Sequence, residues 1–318
     1  MTLVFAHFSD LHLGRSSLAR EHALMRGLVD HAIAHGAQHL LFGGDLVDHG
    51  NLEDARALRE HLLARGYLHA SRASLVPGNH DVWPFGEGHL LRDLSRALPM
   101  ELLARVQVRG PSTRRRERFV ALFSETFDGA RRMGRAAYPC VKEVEGVQLG
   151  LLDTSSRRGL WRAAEGHFDP AEGRWLERTW AAADGPRILL MHHTPATWEV
   201  SREYLLSLWP RPLRRWVGRH GEHLLDARLG FRDQPAVEQF LRDTSVDAVL
   251  CGHLHLLGDP RGGGYDTHVA GVAVHVMGRS GGVHQPEGRE VLAYHRGTAG
   301  EQGVSIETVF VEARELGG

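Results

Sequence analysis

The sequence predicts an α/β fold with a mainly parallel sheet at its centre and helices outside it. Three observations predict it. Apolar runs alternate with helical stripes over the first 76 residues, in the order strand, helix, strand, helix, strand. Several of those runs stop abruptly at glycine, aspartate or histidine. Near the end of the chain, helical periodicity gives way to short apolar strands joined by glycine-rich turns. A βαβαβ opening is the signature of parallel strands with crossover helices.

In order, Leu3 to Phe8 reads as a buried strand. Leu18, Met25, Val29 and Ala32 then share one helical stripe. His39 to Phe42 is the second strand, and Asn51 can cap a helix carrying Leu58 and Leu62. Ser74 to Val76 is the third strand, closed by Pro77-Gly78. Later strands fall at Val147 to Leu152, Ile188 to Met191 and Val246 to Leu250. The β-rich tail offers His268 to Ala270, Val272 to Met277, Glu290 to His295 and Val304 to Val311. Two stretches interrupt the pattern, about 84–137 and 197–235. Neither carries the composition of a separate core, so the chain reads as a single domain of 318 residues with two insertions.

Composition excludes several classes. A net charge of −1 gives no whole-chain pull toward nucleic acid or a membrane surface. No apolar run approaches the roughly 18 residues of a membrane span. Cys140 and Cys251 lie far apart, in no metal-like spacing, which fits a reducing compartment. The opening "MTLVFAHFSD" lacks a positive n-region. The expected location is cytoplasmic. Lys142 is the sole lysine, so nearly all basic charge is arginine.

The chemistry lies at the strand ends. The first strand delivers Asp10 and His12 ("SDLHLG"), and the second Asp45 and Asp48 ("GGDLVD"). The third delivers Asn79, His80 and Asp81 ("PGNHD"). Two later strands end in His192-His193 ("MHHTP") and in His253 and His255 ("GHLH"). Parallel strands place their carboxyl ends along one edge, where ligands bind. Hard oxygen from Asp and Asn, with nitrogen from His, makes a metal-ligand inventory. Each piece alone has a plain structural reading as a turn or a packed histidine. Five such endings in one chain do not.

The order Asp-x-His, Gly-Asp-x-x-Asp, Gly-Asn-His-Asp, His-His-x-Pro, Gly-His-x-His resembles the calcineurin-like metallophosphoesterase superfamily. The His-His-Thr-Pro form and the segment "FDPAEGRWLERTWAAADGP" are most similar to its class III cyclic-nucleotide phosphodiesterases and their relatives. The resemblance covers Leu3 to about His255. It implies a four-layer α-β-β-α sandwich, here with helical insertions and a β-rich C-terminal tail, around a two-metal centre. It implies that Asp10, His12 and His255 hold one metal and Asn79, His192 and His253 the other, with Asp45 bridging. His192 is preferred over His193 because similar members use the first histidine after the strand. His80 matches a histidine that contacts the phosphoryl oxygen or protonates the leaving group. Asp48 matches a residue that orients His80 in the protein-phosphatase branch; a turn or capping role is the alternative.

The implied activity is hydrolysis of a small phosphodiester, of cyclic-nucleotide type or another, by water activated between the metals. Two cations about 3.5–4 Å apart can clamp a phosphodiester and generate a nucleophile at neutral pH. Mn, Fe, Zn and Co all suit mixed Asp, Asn and His ligation. A repair-type exonuclease of the same superfamily is the nearest rival, and nucleic acid is not favoured at this neutral charge. A phosphomonoesterase stays open, and a non-catalytic binding scaffold is the remote alternative. Asp153 is a substrate-pocket candidate or a turn former. "TRRRER" (Thr113 to Arg118) reads as a solvated helix entry. "YLLSLWPRPLRRWVGRH" fits a lid or a homodimer contact better than a membrane surface. His7 and His275 are expected to be packed and hydrogen-bonded, and His31, His35, His61 and His69 to lie on helix surfaces or ends.

Overall fold

The computed structural model describes residues 2–14, 18–48, 52–83, 110–155, 165–196, 214, 230–255, 264–281, 283–284 and 289–317. Two sheets face each other. The first has the order β11-β12-β1-β2-β3, with β13 also paired to β12. Its strands are β1 (Leu3–Phe8), β2 (His39–Phe42), β3 (Ala73–Leu75), β11 (Val283–His284), β12 (Glu290–Gly300) and β13 (Gly303–Glu312). The second runs β4-β5-β6-β7-β8-β10-β9. It is built from β4 (Arg131–Arg132), β5 (Cys140–Val144), β6 (Val147–Leu152), β7 (Arg187–Met191), β8 (Ala248–Cys251), β9 (Gly264–Val269) and β10 (Val272–Met277). The centre of each sheet is parallel: β1, β2 and β3 in one, β6, β7, β8 and β10 in the other.

Helices cover the outer faces. On the first sheet lie α1 (Leu18–Ala34) and α2 (Arg56–Ala64), whose Met25, Val29, Ala32, Leu58 and Leu62 are buried in the same cluster as Phe8, Phe42 and Tyr294. The short α3 (Asn79–Val82) and then α4 (Gly110–Leu122) follow in the chain. On the second sheet lie α5 (Pro170–Ala181) and α6 (Gln234–Asp243), which bury Leu176, Trp180, Val237 and Phe240. Period two sorts β7 between layers: Ile188 and Leu190 join the cluster between the sheets, and Leu189 and Met191 the one under the helices. The α5 start is local chemistry. Asp169 accepts from the Ala171 N–H at 2.8 Å and Pro170 opens the helix.

Several boundaries differ from expectation. Asn51 lies outside the described residues, and α2 begins five residues later behind Ala55, with a turn over 52–55. β5 has no counterpart in the sequence reading, because "CVKEV" mixes charge into a short run. The C-terminal strands are not an appended tail. They divide between the sheets: β10 lies parallel to β8, while β12 lies antiparallel to β1 and completes the first sheet. Within the insertion at 84–137, residues 84–109 lie outside the described set. Thr113 to Arg118 lie inside α4 rather than at its entry, and Phe119, Phe123 and Phe127 join the main core. Of the insertion at 197–235, only Arg214 and 230–235 are described, so the lid or dimer segment other than Arg214 lies outside. Among the described residues, no helix is long and apolar enough to cross a membrane.

Candidate metal centre

The parallel ladder continues past the strand ends and carries the polar residues with it. Asp10 N–H donates to the Gly44 carbonyl and His12 N–H to that of Asp45, both at 3.0 Å. The backbone there is strained. Asp10 (φ 57°), His12 (48°), Asp45 (51°) and His253 (74°) all occupy the left-handed region, which non-glycine residues rarely adopt. Such strain persists where surrounding structure over-determines it, and it concentrates at functional sites. Close approach does the rest. A Cβ on Gly78 would lie 2.1 Å from Asp45 Oδ1, and one on Gly252 would lie 2.2 Å from Asp10 Oδ2.

Around Asp45 the predicted residues fall into two sets. In one, His12 Nε2 and His255 Nε2 stand 2.8 Å apart. Asp10 Oδ1 lies 3.2 Å from His255 Nε2 and 3.7 Å from His12 Nε2. In the other, Asn79 Oδ1 lies 3.1 Å from His192 Nε2 and 3.0 Å from His253 Nδ1. Asp45 Oδ2 faces both sets, 3.8 Å from His12 Nε2 and 3.3 Å from His192 Nε2. Its other oxygen accepts from the His80 N–H at 2.8 Å. The ligating groups of Asp10, His12, Asp45 and His255, and of Asp45, His192 and His253, are each close enough to hold one ion.

Electrostatics and hydrogen bonding both fit a cation pair. Burial would push His12 and His192 down, yet neighbouring carboxylates raise each to about 9. Burial would raise Asp10 and Asp45, yet the surrounding imidazoles hold both well below the carboxylate range. His253, by contrast, is pushed down to about 3 by burial and by His192, so the carboxylates favour positive charge at His12 and His192 in particular. Buried Asp10 Oδ1 and His253 Nε2 have no hydrogen-bond partner, an expensive condition unless something else binds them. The contact of His192 Nδ1 with the Gly43 carbonyl at 2.7 Å turns Nε2 toward Asp45.

His80 is half-buried among the same loops. Its Nδ1 donates to the Asp48 carbonyl at 2.6 Å, and burial lowers its pKa. The Asp48 carboxylate stands 2.9 Å from His12 Nδ1. Asp81, given no role from sequence, ties the loops together. Its two oxygens accept from Gly78 N–H at 2.8 Å and Val47 N–H at 3.2 Å. Burial and the charge of Asp45 raise it to about 7. An aspartate two places after Asn79 at a helix start was the available signal.

The structure separates the two adjacent histidines. His192 faces Asp45, whereas His193 Nδ1 pairs with Thr154 Oγ1 at 2.9 Å and its ring lies beside that of His253. Asp153 takes the turn role. One oxygen accepts from Ser155 N–H and the other from Arg116 Nε at 2.7 Å. His61, expected on a helix surface or end, lies in the last turn of α2, where it is buried and bonded to Asp30. Cys140 and Cys251 are buried, and burial pushes both thiols up to about 12.

The family model of the calcineurin-like phosphoesterases matches residues 3–257. The chain belongs to this family. Its members hydrolyse phosphoesters at a dinuclear metal centre, and the two sets meeting at Asp45 are this chain's candidates for that centre. No curated protein matches the chain. Among solved structures it is similar to a dimetal phosphatase from Danio rerio, at 14% identity over 98% of this chain and 99% of that one (TM-score 0.48). It is also similar to a 5'-nucleotidase precursor from Thermus thermophilus, at 15% identity over 99% of this chain and 55% of that one (TM-score 0.42). A third is the NAD nucleotidase of Haemophilus influenzae, at 11% identity over 98% and 50% (TM-score 0.44). The chain spans about half the length of the two nucleotidases.

Proposed function

We propose that this calcineurin-like phosphoesterase is a phosphodiesterase acting on a small phosphodiester of the cyclic-nucleotide type. Asp10, His12 and His255 would hold one metal and Asn79, His192 and His253 the other, with Asp45 available to both. The observation that carries this reading is the position of Asp45 Oδ2, between His12 of one set and His192 of the other. When bound, two divalent cations supply a nucleophile from water and offset the charge that develops on the phosphoryl group.

The chain's own residues do the remaining work. Neutral Asn79 completes its set without adding negative charge, so an anionic ester is not repelled. His80, held at Nδ1 by the Asp48 carbonyl, presents its other ring nitrogen away from that loop. There it contacts a phosphoryl oxygen or gives a proton to the leaving alkoxide, a role worth about 10²–10⁴-fold. A diester leaving group is a poor one, which is where such an acid matters most. The preference for a diester is supported by the His-His-Thr-Pro form.

The test compares rates on an aryl phosphodiester and the matching monoester after reconstitution with Mn²⁺, with His80→Ala as control. Faster turnover of the diester, lost in the control, supports the proposal. Preference for the monoester makes the protein a phosphatase and overturns it.

A further inference from the structure

Asp48 sits where the loop after β2 passes between two histidines, and its backbone is fixed there. Its N–H donates to the Leu13 carbonyl at 3.0 Å, and the preceding Val47 bridges to Leu13. Its acceptors are divided. The carbonyl oxygen receives His80 Nδ1 at 2.6 Å, and carboxylate Oδ1 stands 2.9 Å from His12 Nδ1. The His12 side chain is fully buried and that of Asp48 is 12% exposed, so water competes little for this contact.

An imidazole whose Nδ1 faces a carboxylate as an ion pair has Nε2 aimed away from that carboxylate. For His12 this aims Nε2 at Asp10, Asp45 and His255. A carboxylate behind a ligating imidazole also makes the imidazole a stronger donor. We propose that the Asp48 carboxylate is a positioning residue for the first metal, acting through His12, while the Asp48 main chain holds His80. This rests on reading Asp10, His12 and His255 as that metal's ligands. One residue then serves two different functions through two different groups. Truncating the side chain removes one function and leaves the other, because the carbonyl belongs to the backbone.

The experiment uses the full chain stripped of metal: wild type, Asp48→Ala and Asp48→Asn. Mn²⁺ binding is measured by calorimetric titration, and diester turnover is followed against Mn²⁺ concentration. In Asp48→Ala one of two Mn²⁺ sites should weaken by about 10- to 100-fold while the other holds. Turnover should return toward wild type at saturating Mn²⁺. Asp48→Asn, whose amide oxygen can still accept the Nδ1–H, should recover most of the affinity. If Asp48→Ala does not fold, Asp48→Ser, too short to reach Nδ1, carries the same expectation. Unchanged Mn²⁺ affinity at both sites, with a turnover deficit that excess Mn²⁺ does not repair, overturns the proposal and returns the carboxylate to His80. Wild-type protein that takes up no Mn²⁺ overturns the ligand reading itself, a result distinct from any difference among the variants.

Discussion

β1 and the loop it leads into carry two buried histidines, five residues apart, with opposite electrostatics. His12 stands beyond the strand end among Asp10, Asp45 and Asp48, and is raised to about 9 in spite of burial. His7 stands inside the strand, where its Nδ1 lies 3.3 Å from that of His295 on the paired strand β12. Burial and the neighbouring His295 push it well below the ordinary value. The region between the sheets repeats this. Burial drives His295 to about 4, His39 to about 3 and Lys142 to about 7. The groups that satisfy the last two are neutral: His39 meets the Ser71 carbonyl and Ser74 hydroxyl, and Lys142 Nζ the Ala73 carbonyl and the same hydroxyl. Burial of a titratable group is therefore common to both regions and identifies neither. What separates His12 from His7 is the carboxylates within a few ångströms of it, which the strand-end turns deliver. Between the sheets, nitrogen is buried as a neutral packing group; at the edge, His12 and His192 are buried beside charge that calls for a cation.

The strongest way to break the contrast is to remove the shared carboxylate charge. Asp45→Asn should lower metal content from two ions toward one and cut turnover by about 10³-fold or more. Elemental analysis and diester rates check this, and near-wild-type values on both would erase the distinction between the regions. Next in size is His80→Ala, expected to lose about 10²–10⁴-fold in kcat. Its metal content should stay at the wild-type value, because His80 lies outside both proposed ligand sets.

The interior makes the opposite kind of prediction, in stability rather than rate. An unfolded lysine is protonated below about 10.5, whereas folded Lys142 is protonated only below about 7. Between those values the unfolded chain binds more protons, so stability climbs as pH rises from 7 to 10.5. Lys142→Met should flatten that climb by up to about 1.4 kcal/mol per pH unit, as read from urea melts at several pH values. His295→Gln should give the smallest effect. Folded His295 titrates near 4 against 6.5 unfolded, so wild type loses stability as pH falls from 6.5 to 4, and the variant should lose less. Neither interior substitution should shift turnover at neutral pH. A fall in metal content in either would join the two regions functionally.

Much of this was legible in the chain because it is local. β1, β2, β6 and β10 match their apolar runs residue for residue, since a buried strand needs a run of that length and a turn to end it. The candidate ligands were legible as polar residues directly after those runs. β5 was not, because "CVKEV" spends its lysine on a hydrogen bond to β3 of the other sheet, a partner far off in sequence.

Where strands run and which side chains stand at their ends follow from the chain locally, because apolar periodicity and glycine-bearing turns act within a few residues. The packing of the two sheets set the contacts. It joined β12 to β1 and β10 to β8, which split the C-terminal strands between two sheets. It turned His192 toward Asp45 and gave His193 to Thr154. It set the Asp48 carboxylate against His12 and its carbonyl against His80. Each of those choices is a contact between segments brought together only when the two sheets pack, and a hydrogen bond's few ångströms of reach are not encoded in spacing along the chain.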